Sequence, residues 1–507
     1  MKIFLLWLTA SMAWSQYPQK IVTRYKAGER ELTGCAGREL KTRDGAVWKA
    51  AERGLTRADG KGIQYFHGLR YLADDAVECI APDDSAAGVW VKTRTGVSRI
   101  ELKPMTLAAK AEHFERRVSA RHDRYGMVAS SHLKVAGDLS SNQMDPSDND
   151  GLWTAMYAAA ECFRYAVTKS PEALTRAKKA TEAVLFLEQV TGVAGYPARS
   201  YIKKGDWRGQ GGVWHWSEDG AYEWKADTSS DEIVGHFYIF GIAYDLLPDP
   251  ALKKRIAGTA RRIMDHILEH GYNLMDIHGN PTYWGRWSHE YFETRRGRGD
   301  APLNAVELLS FLRTTHHITG DARYEREYRK AALDLRYMEM SQRYLERHEE
   351  INYSDEELAM LPFYLLFRYE KDKAMLAEYR KALDQWWRNI ERERNPLWTY
   401  IYRTANPGKG DLAAAQETLY RIPMDLISWR MENSWRKDIE WAEKADRFRR
   451  REAKTWLPPD ERPAMKWNGN PFIVDGGGPG NSEDDGSFFL LPYWMGRYHG
   501  FLRVREN

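Results

Sequence analysis

Apolar and polar positions alternate along the chain in long blocks. From Pro104 onward the period is helical. Stretches apolar on nearly every side (Leu152 to Val167, Ser229 to Leu247, Leu303 to Ile318, Asp355 to Arg368, a weaker Leu412 to Trp429, and Asp485 to Leu502) are each matched by a charged, one-sided stretch. The one-sided set runs Thr106 to Arg121, Ser170 to about Val190, Asp249 to His270, Asp321 to Arg347, Lys371 to Ile390 and Glu432 to Arg450. In the third of these, Leu252, Ile256, Ile263 and Ile267 follow helical spacing amid Lys and Arg. Ser-Pro at Ser170 and Asp-Pro at Asp249 are helix starts, a cap followed by proline at the first position. A helix apolar all round must be covered all round. Six such helices wrapped by six amphipathic ones form a two-layer helical toroid, the closed arrangement that buries both sets. Pro362, Pro423 and Pro492 fall inside apolar blocks, where each kinks a helix or moves its start.

Residues 16–103 read differently, as short strands and turn glycines. Trp48, Gly54 and Arg57 recur as Trp90, Gly96 and Arg99, each offset by 42 residues. That period is in the propeller-blade range. The two copies resemble the Val-Trp…Gly-x-x-Arg blades of the two-component-regulator type of β-propeller, the first with Ala50-Ala51 where Gly-Thr is usual. Two blades close no ring, so a small β module packed on the helices is expected. The helical part, residues 104–507, resembles in pattern the (α/α)6 toroid shared by many glycoside hydrolases, polysaccharide lyases and related sugar-active proteins. This resemblance implies a mainly α protein acting on a carbohydrate.

Composition narrows the setting. With 75 basic and 72 acidic residues the net charge is +3, which makes no case for nucleic acid. Residues 1–15 (Met1, Lys2, an apolar run from Ile3 to Trp14, then Ala13-Trp14-Ser15) read as a secretory signal, and a secreted or periplasmic protein is expected. No later run is long enough to span a bilayer. Three cysteines are too few for a disulfide scaffold; Cys35 and Cys79 could pair after export or stay as buried thiols. The chain carries 20 Trp and 28 Tyr, many of them in two long loops, 195–225 and 272–300. Loops of this length inside a compact domain are functional as a rule.

In a toroid the inner helices run parallel, and their N-terminal ends meet at one mouth. Those ends carry Asp148 and Asp150, Asp227, Asp231 and Glu232, Asn304 and Glu307, Asp355, Glu356 and Glu357, and Glu483 to Asp485. First-turn acids also answer the helix dipole, so each has a purely structural explanation as well. Glycoside hydrolysis needs two carboxylates across the scissile bond. Asp231 or Glu232 is the first choice for one, with Asp150 or Asp355 as its partner. Elimination at a uronate would instead use His236, His278 or Tyr283 beside Arg199 or Arg286, and the basic run Arg295 to Arg298 favours an acidic polymer. His236 is also readable as a core histidine paired with Glu232. Trp207, Trp214, Trp216, Trp224, Trp284 and Trp287 are the candidates for stacking on sugar rings. An aromatic platform without opposed acids would describe a glycan-binding protein that does no chemistry. No H-E-x-x-H, G-x-S-x-G, phosphate-binding loop or dinucleotide fingerprint occurs, so no cofactor is expected. The acidic runs Asp145 to Gly151 and Glu483 to Gly486 lack calcium-loop spacing, and no metal is assigned to them.

Overall fold

A computed structural model describes residues 16–209, 211–344, 352–463, 465–466 and 468–502. The expected secretory segment, residues 1–15, lies outside the described residues. Among the described residues twelve helices carry the architecture. In chain order they are α1 (Leu107–Arg121), α2 (Asp150–Thr168), α3 (Pro171–Gln189), α4 (Ser230–Leu246), α5 (Pro250–Glu269), α6 (Gly297–Thr319), α7 (Ala322–Arg329), α8 (Tyr353–Tyr369), α9 (Lys373–Ile390), α10 (Pro396–Ala405), α11 (Leu412–Arg421) and α12 (Ser487–Tyr498). The even-numbered helices pack in a ring, α2 on α4, then α6, α8, α10, α12 and back to α2, and the odd-numbered ones cover it from outside. This is a toroid of six inner and six outer helices, with one continuous apolar core.

Local sequence explains most of the ring. Ser170 and Asp249 cap α3 and α5 with their side chains, each ahead of a proline at the first position. Helix α4 is buried on every face from Ile233 to Ala243. Its close approach to α2 needs Gly235, where an added Cβ would lie 2.7 Å from the Leu152 Cα. Pro362 and Pro492 sit inside α8 and α12, and Pro423 follows directly on the end of α11.

The expectation fails between residues 390 and 450. The fifth inner helix is α10, only ten residues long, and Leu412–Arg421 belongs to the outer layer. Ile427–Glu432 is a strand rather than the end of a helix, and Trp441–Ala445 pairs with Arg451–Ala453 as a hairpin. The charge of residues 432–450 reflects a solvated insertion, not the outer face of a helix. Asp321 to Arg347 is likewise broken, α7 giving way to a π turn at Lys330–Asp334 and a short helix at Tyr337–Met340.

The N-terminal part forms two four-stranded antiparallel sheets. Strands β1 (Tyr17–Lys26), β2 (Glu39–Lys41), β3 (Val47–Ala50), β4 (Leu55–Asp59), β5 (Gly62–Phe66), β6 (Val77–Pro82), β7 (Val89–Thr93) and β8 (Gly96–Met105) are ordered β2-β3-β4-β5 and β1-β8-β7-β6. The two sequence copies are the β3–β4 and β7–β8 hairpins, in which Trp48 faces Arg57 and Trp90 faces Arg99. The first sheet is a meander and the second is the meander β6-β7-β8 with β1 added beside β8, but no ring of blades forms; the two share one core around Trp48, Phe66, Ile80 and Ile100. Cys35 and Cys79 are disulfide-bonded, and Cys162 is a buried free thiol. The described helices include none long and apolar enough to cross a membrane.

Candidate active site

The N-terminal ends of α2, α4, α6 and α8 converge. Asn149, which precedes α2, donates from Nδ2 to Asp231 Oδ2 in the first turn of α4 at 2.5 Å. Asp231, Asp300 in the first turn of α6 and Asp355 in the first turn of α8 are all half-buried. Each is anchored by a donor: Asn149 for Asp231, the Tyr291 hydroxyl for Asp300, which also pairs with Arg296 at 3.8 Å, and Asn352 Nδ2, at 2.7 Å, for Asp355. Burial raises the Asp231 carboxyl above its ordinary range. Asp355 is pushed up to about 7, first by burial and then by the charge of Asp300, with Asp231 adding to it and Arg447 opposing. Near neutrality, then, one mouth carboxyl is poised between its acid and base forms beside another.

Directly behind the three lies a sealed layer of glutamates. Glu232 accepts from the Leu152 amide at 3.4 Å, Glu307 from the Trp287 indole at 2.8 Å, and Glu356 from the Tyr344 hydroxyl at 2.7 Å. Burial lifts all three carboxyls far above the carboxylate range, so they stand neutral as structural acids. Glu232 is therefore not at the mouth. Asp150 is also fully buried, saturated by Arg124 at 2.6 Å, Ser200 at 2.5 Å and Ser147 at 2.6 Å. It ties α2 to neighbouring loops and has no lone pair left for a substrate.

His236 lies one turn further down α4, closed off from the mouth. Its Nδ1 donates to the Glu232 carbonyl at 2.6 Å, not to the Glu232 carboxyl, and burial holds the ring neutral, down to about 4. Arg199 is likewise committed, donating to the backbone carbonyls of Asp227 at 2.5 Å and Asp148 at 3.0 Å. Arg286 donates to the carbonyls of Thr282 and Pro281 within its own strand. Of the remaining mouth acids, Asp148 pairs with Lys225, and Glu483 is held down to about 2, chiefly by Arg121 at 2.7 Å.

The two long loops are joined at this mouth. Asp227, at φ +55°, accepts from the Tyr283 amide at 3.0 Å, and the rings of His215 and His278 stand 6.2 Å apart. The aromatic candidates divide by exposure. Trp207, Trp216, Tyr283 and Trp284 each keep about half of their surface in solvent, at 51 %, 54 %, 51 % and 46 %, whereas Trp224 and Trp287 are core residues. Trp214 is half-buried, its indole donating to the Gly211 carbonyl. Arg296 stacks on Tyr283 and Trp284, 3.6 and 4.4 Å from their ring centres, and locks them as one platform. The basic run Arg295 to Arg298 is thus the entry into α6 and the back of this platform.

Asp300 and the caps Asn149 and Asn352 escape sequence reasoning. Asp300 closes an Arg-Gly-rich run ahead of Pro302 and reads as loop, yet it is already helical. Asn149 and Asn352 matter only because two helix ends meet.

No protein-family model matches the chain, and no curated protein sequence matches it. Among solved structures it is similar to a sugar epimerase from a ruminal bacterium, at 10 % identity over 77 % of this chain and 99 % of that one, with a TM-score of 0.30. It is also similar to a metagenome-derived glycoside hydrolase family 9 endoglucanase, at 11 % identity over 96 % of this chain and 97 % of that one, with a TM-score of 0.32. At such scores the functional reading rests on the side chains alone.

Proposed function

We propose that the protein is a glycoside hydrolase acting on an oligo- or polysaccharide laid across the toroid mouth. Asp355 serves as the general acid and Asp231 as the base or nucleophile. The observation that supports this is the pair itself: two half-buried carboxyls in the first turns of inner helices α4 and α8, one poised near neutrality, on a mouth that also carries an exposed aromatic platform. A glycosidic oxygen leaves only when protonated, and a carboxyl raised to about 7 is still about half protonated at neutral pH. Asp231, held by Asn149, supplies the second carboxyl that the reaction requires. Trp216, Tyr283 and Trp284 offer apolar faces to sugar rings. The bonded Cys35 and Cys79 and the apolar run from Ile3 to Trp14 support a site of action outside the cytoplasm.

The test is release of new reducing ends from a glycan panel, with absorbance of unsaturated uronates followed in the same wells. New ends without that absorbance are expected, and D355N and D231N should each lower turnover by about 10²-fold or more while retaining the helical circular-dichroism spectrum. Turnover surviving in the D231N/D355N double variant would overturn the assignment. Glycan binding without any release would leave a binding protein.

A further inference from the structure

The hairpin that takes the place of the expected last outer helix closes one side of the mouth. Its tip, Asp446 to Arg450, is a tight turn: the Arg449 amide donates to the Asp446 carbonyl at 2.8 Å, and Arg449 sits at φ +60°. Asp446 also accepts from the amides of Phe448 and Arg450, at 3.0 and 2.7 Å. The turn faces the start of α8 across a cleft of about 360 Å3, lined by Asn352, Tyr353, Arg447, Phe448, Asn470 and Gly477 among others. Asp355, in the first turn of α8, directly follows the lining residues Asn352, Tyr353 and Ser354.

The guanidinium of Arg447 is unlike those around it. Arg450 is paired with Asp446 at 2.7 Å, Arg392 with Glu452 at 3.9 Å, Arg394 with Glu417 at 2.7 Å, and Arg451 lies 3.7 Å above the Trp441 ring. Arg447 forms no ion pair or hydrogen bond with any described residue, and it is exposed. Its charge reaches Asp355 without pairing to it. Beside it Phe448 is 67 % exposed, its ring centre 5.4 Å from the Arg447 guanidinium and 5.1 Å from that of Arg450. The opposite wall carries no side chain at Gly477, which must be glycine because a Cβ would fall 2.1 Å from the Trp429 carbonyl oxygen.

We propose that this cleft is a subsite for an anionic sugar residue, with Arg447 gripping its carboxylate or sulfate ester, Phe448 stacking on its ring, and the glycosidic bond presented to Asp355. The proposal rests on the glycan reading of the mouth and adds the substrate class. Three half-buried acids would repel an anionic glycan, and an uncommitted guanidinium at the rim is the group that offsets this. An anion bound at Arg447 also cancels the positive field that opposes protonation of Asp355. The charged substrate therefore keeps the acid that cleaves it protonated to higher pH, and the alkaline limb of kcat should lie above that of kcat/KM.

The experiment is binding to the catalytically silenced D355N full-length chain, by titration calorimetry. The probes are oligogalacturonate, its methyl ester, chondroitin-sulfate oligosaccharides, their desulfated forms, and neutral cello- and xylo-oligosaccharides. Binding restricted to acidic probes is expected, weakened by R447Q about ten- to a hundredfold and partly restored by R447K. Loss on methyl esterification would identify a carboxylate, and loss on desulfation a sulfate. Unchanged affinity for acidic probes in R447Q, preference for neutral probes, or no binding to any would overturn the subsite. If the wild type cleaves neutral glycans and D355N does not, the hydrolase stands without the subsite. If acidic probes bind through Arg447 and the wild type cleaves nothing, the subsite stands without the hydrolase.

Discussion

Asp355 ties one residue's environment to two measurable pH effects. As a general acid it must be protonated, so kcat/KM should fall as pH rises through about 7. Stability follows the same shift with a definite sign. The carboxyl titrates near 4 in the unfolded chain and near 7 in the folded one, so the folded state holds the extra proton across that window. Stability contributed by Asp355 is therefore complete below about pH 4 and declines as pH rises to about 7. D355N removes this dependence: the variant should be inactive, yet melt higher than the wild type at pH 8 and not at pH 4. Equal melting shifts at both pH values would show that Asp355 is not held as described. His236 offers the contrast, since a neutral ring bonded to the carbonyl of its own helix has no proton to exchange with a substrate. What separates the two residues is the depth at which each leaves its helix.

At the scale of elements, the mouth depends on how closely α2 and α4 approach. Asn149 reaches Asp231 because Gly235 lets α4 lie against the Leu152 backbone, and Gly151 leaves room for the Glu232 carboxyl, whose Oε2 would lie 1.9 Å from an added Cβ. Overpacking such a contact costs about 1–3 kcal/mol. G235A should destabilise the fold by that amount in urea and also raise KM, because the Asn149–Asp231 bond is strained with it. A variant that loses stability with no change in KM would mean that the bond tolerates helix displacement. The short α10 shows where pattern reading fails at this scale. Its ten residues are too few for a clear apolar period, and only contact with α8 and α12 marks it as inner. Its neighbour α11 was the more visible helix and sits on the outside.

Across the whole molecule, the β module is joined to the toroid through buried polar groups as well as through Tyr17, which stacks on Tyr420 at 5.3 Å against the main core. Lys110 of α1 donates to Gln19 Oε1 at 2.8 Å and to the carbonyls of Leu419, Tyr420 and Ile422 that end α11. Lys20 of β1 pairs with Asp460 at 2.6 Å, and Asp460 with Arg421 at 2.8 Å. The mouth is built by other elements. Removing the Cys35–Cys79 bond, whose partners are 44 residues apart, should cost about 2–4 kcal/mol while leaving kcat unchanged. A C35A/C79A chain that keeps its stability but loses turnover would contradict this separation and tie the module to catalysis.

The inner and outer sets outside residues 390–450, the helix starts at Ser170 and Asp249, the two Trp-Gly-Arg copies and the acid-bearing helix ends were legible in the sequence. Period, caps and turn glycines are local, and each acts over a few residues. Which acids reach solvent was not legible, because Asp231 and Glu232 are neighbours in sequence and differ only in the direction each side chain takes from a packed helix. The same holds for Trp284, which is exposed, and Trp287, which is buried three residues later. The hairpin that brings Arg447 to the mouth was invisible for a related reason: a charged stretch satisfies an outer helix and a solvated turn equally well. Closure of the ring decides between them, since the hairpin finds its place only once six inner helices have met.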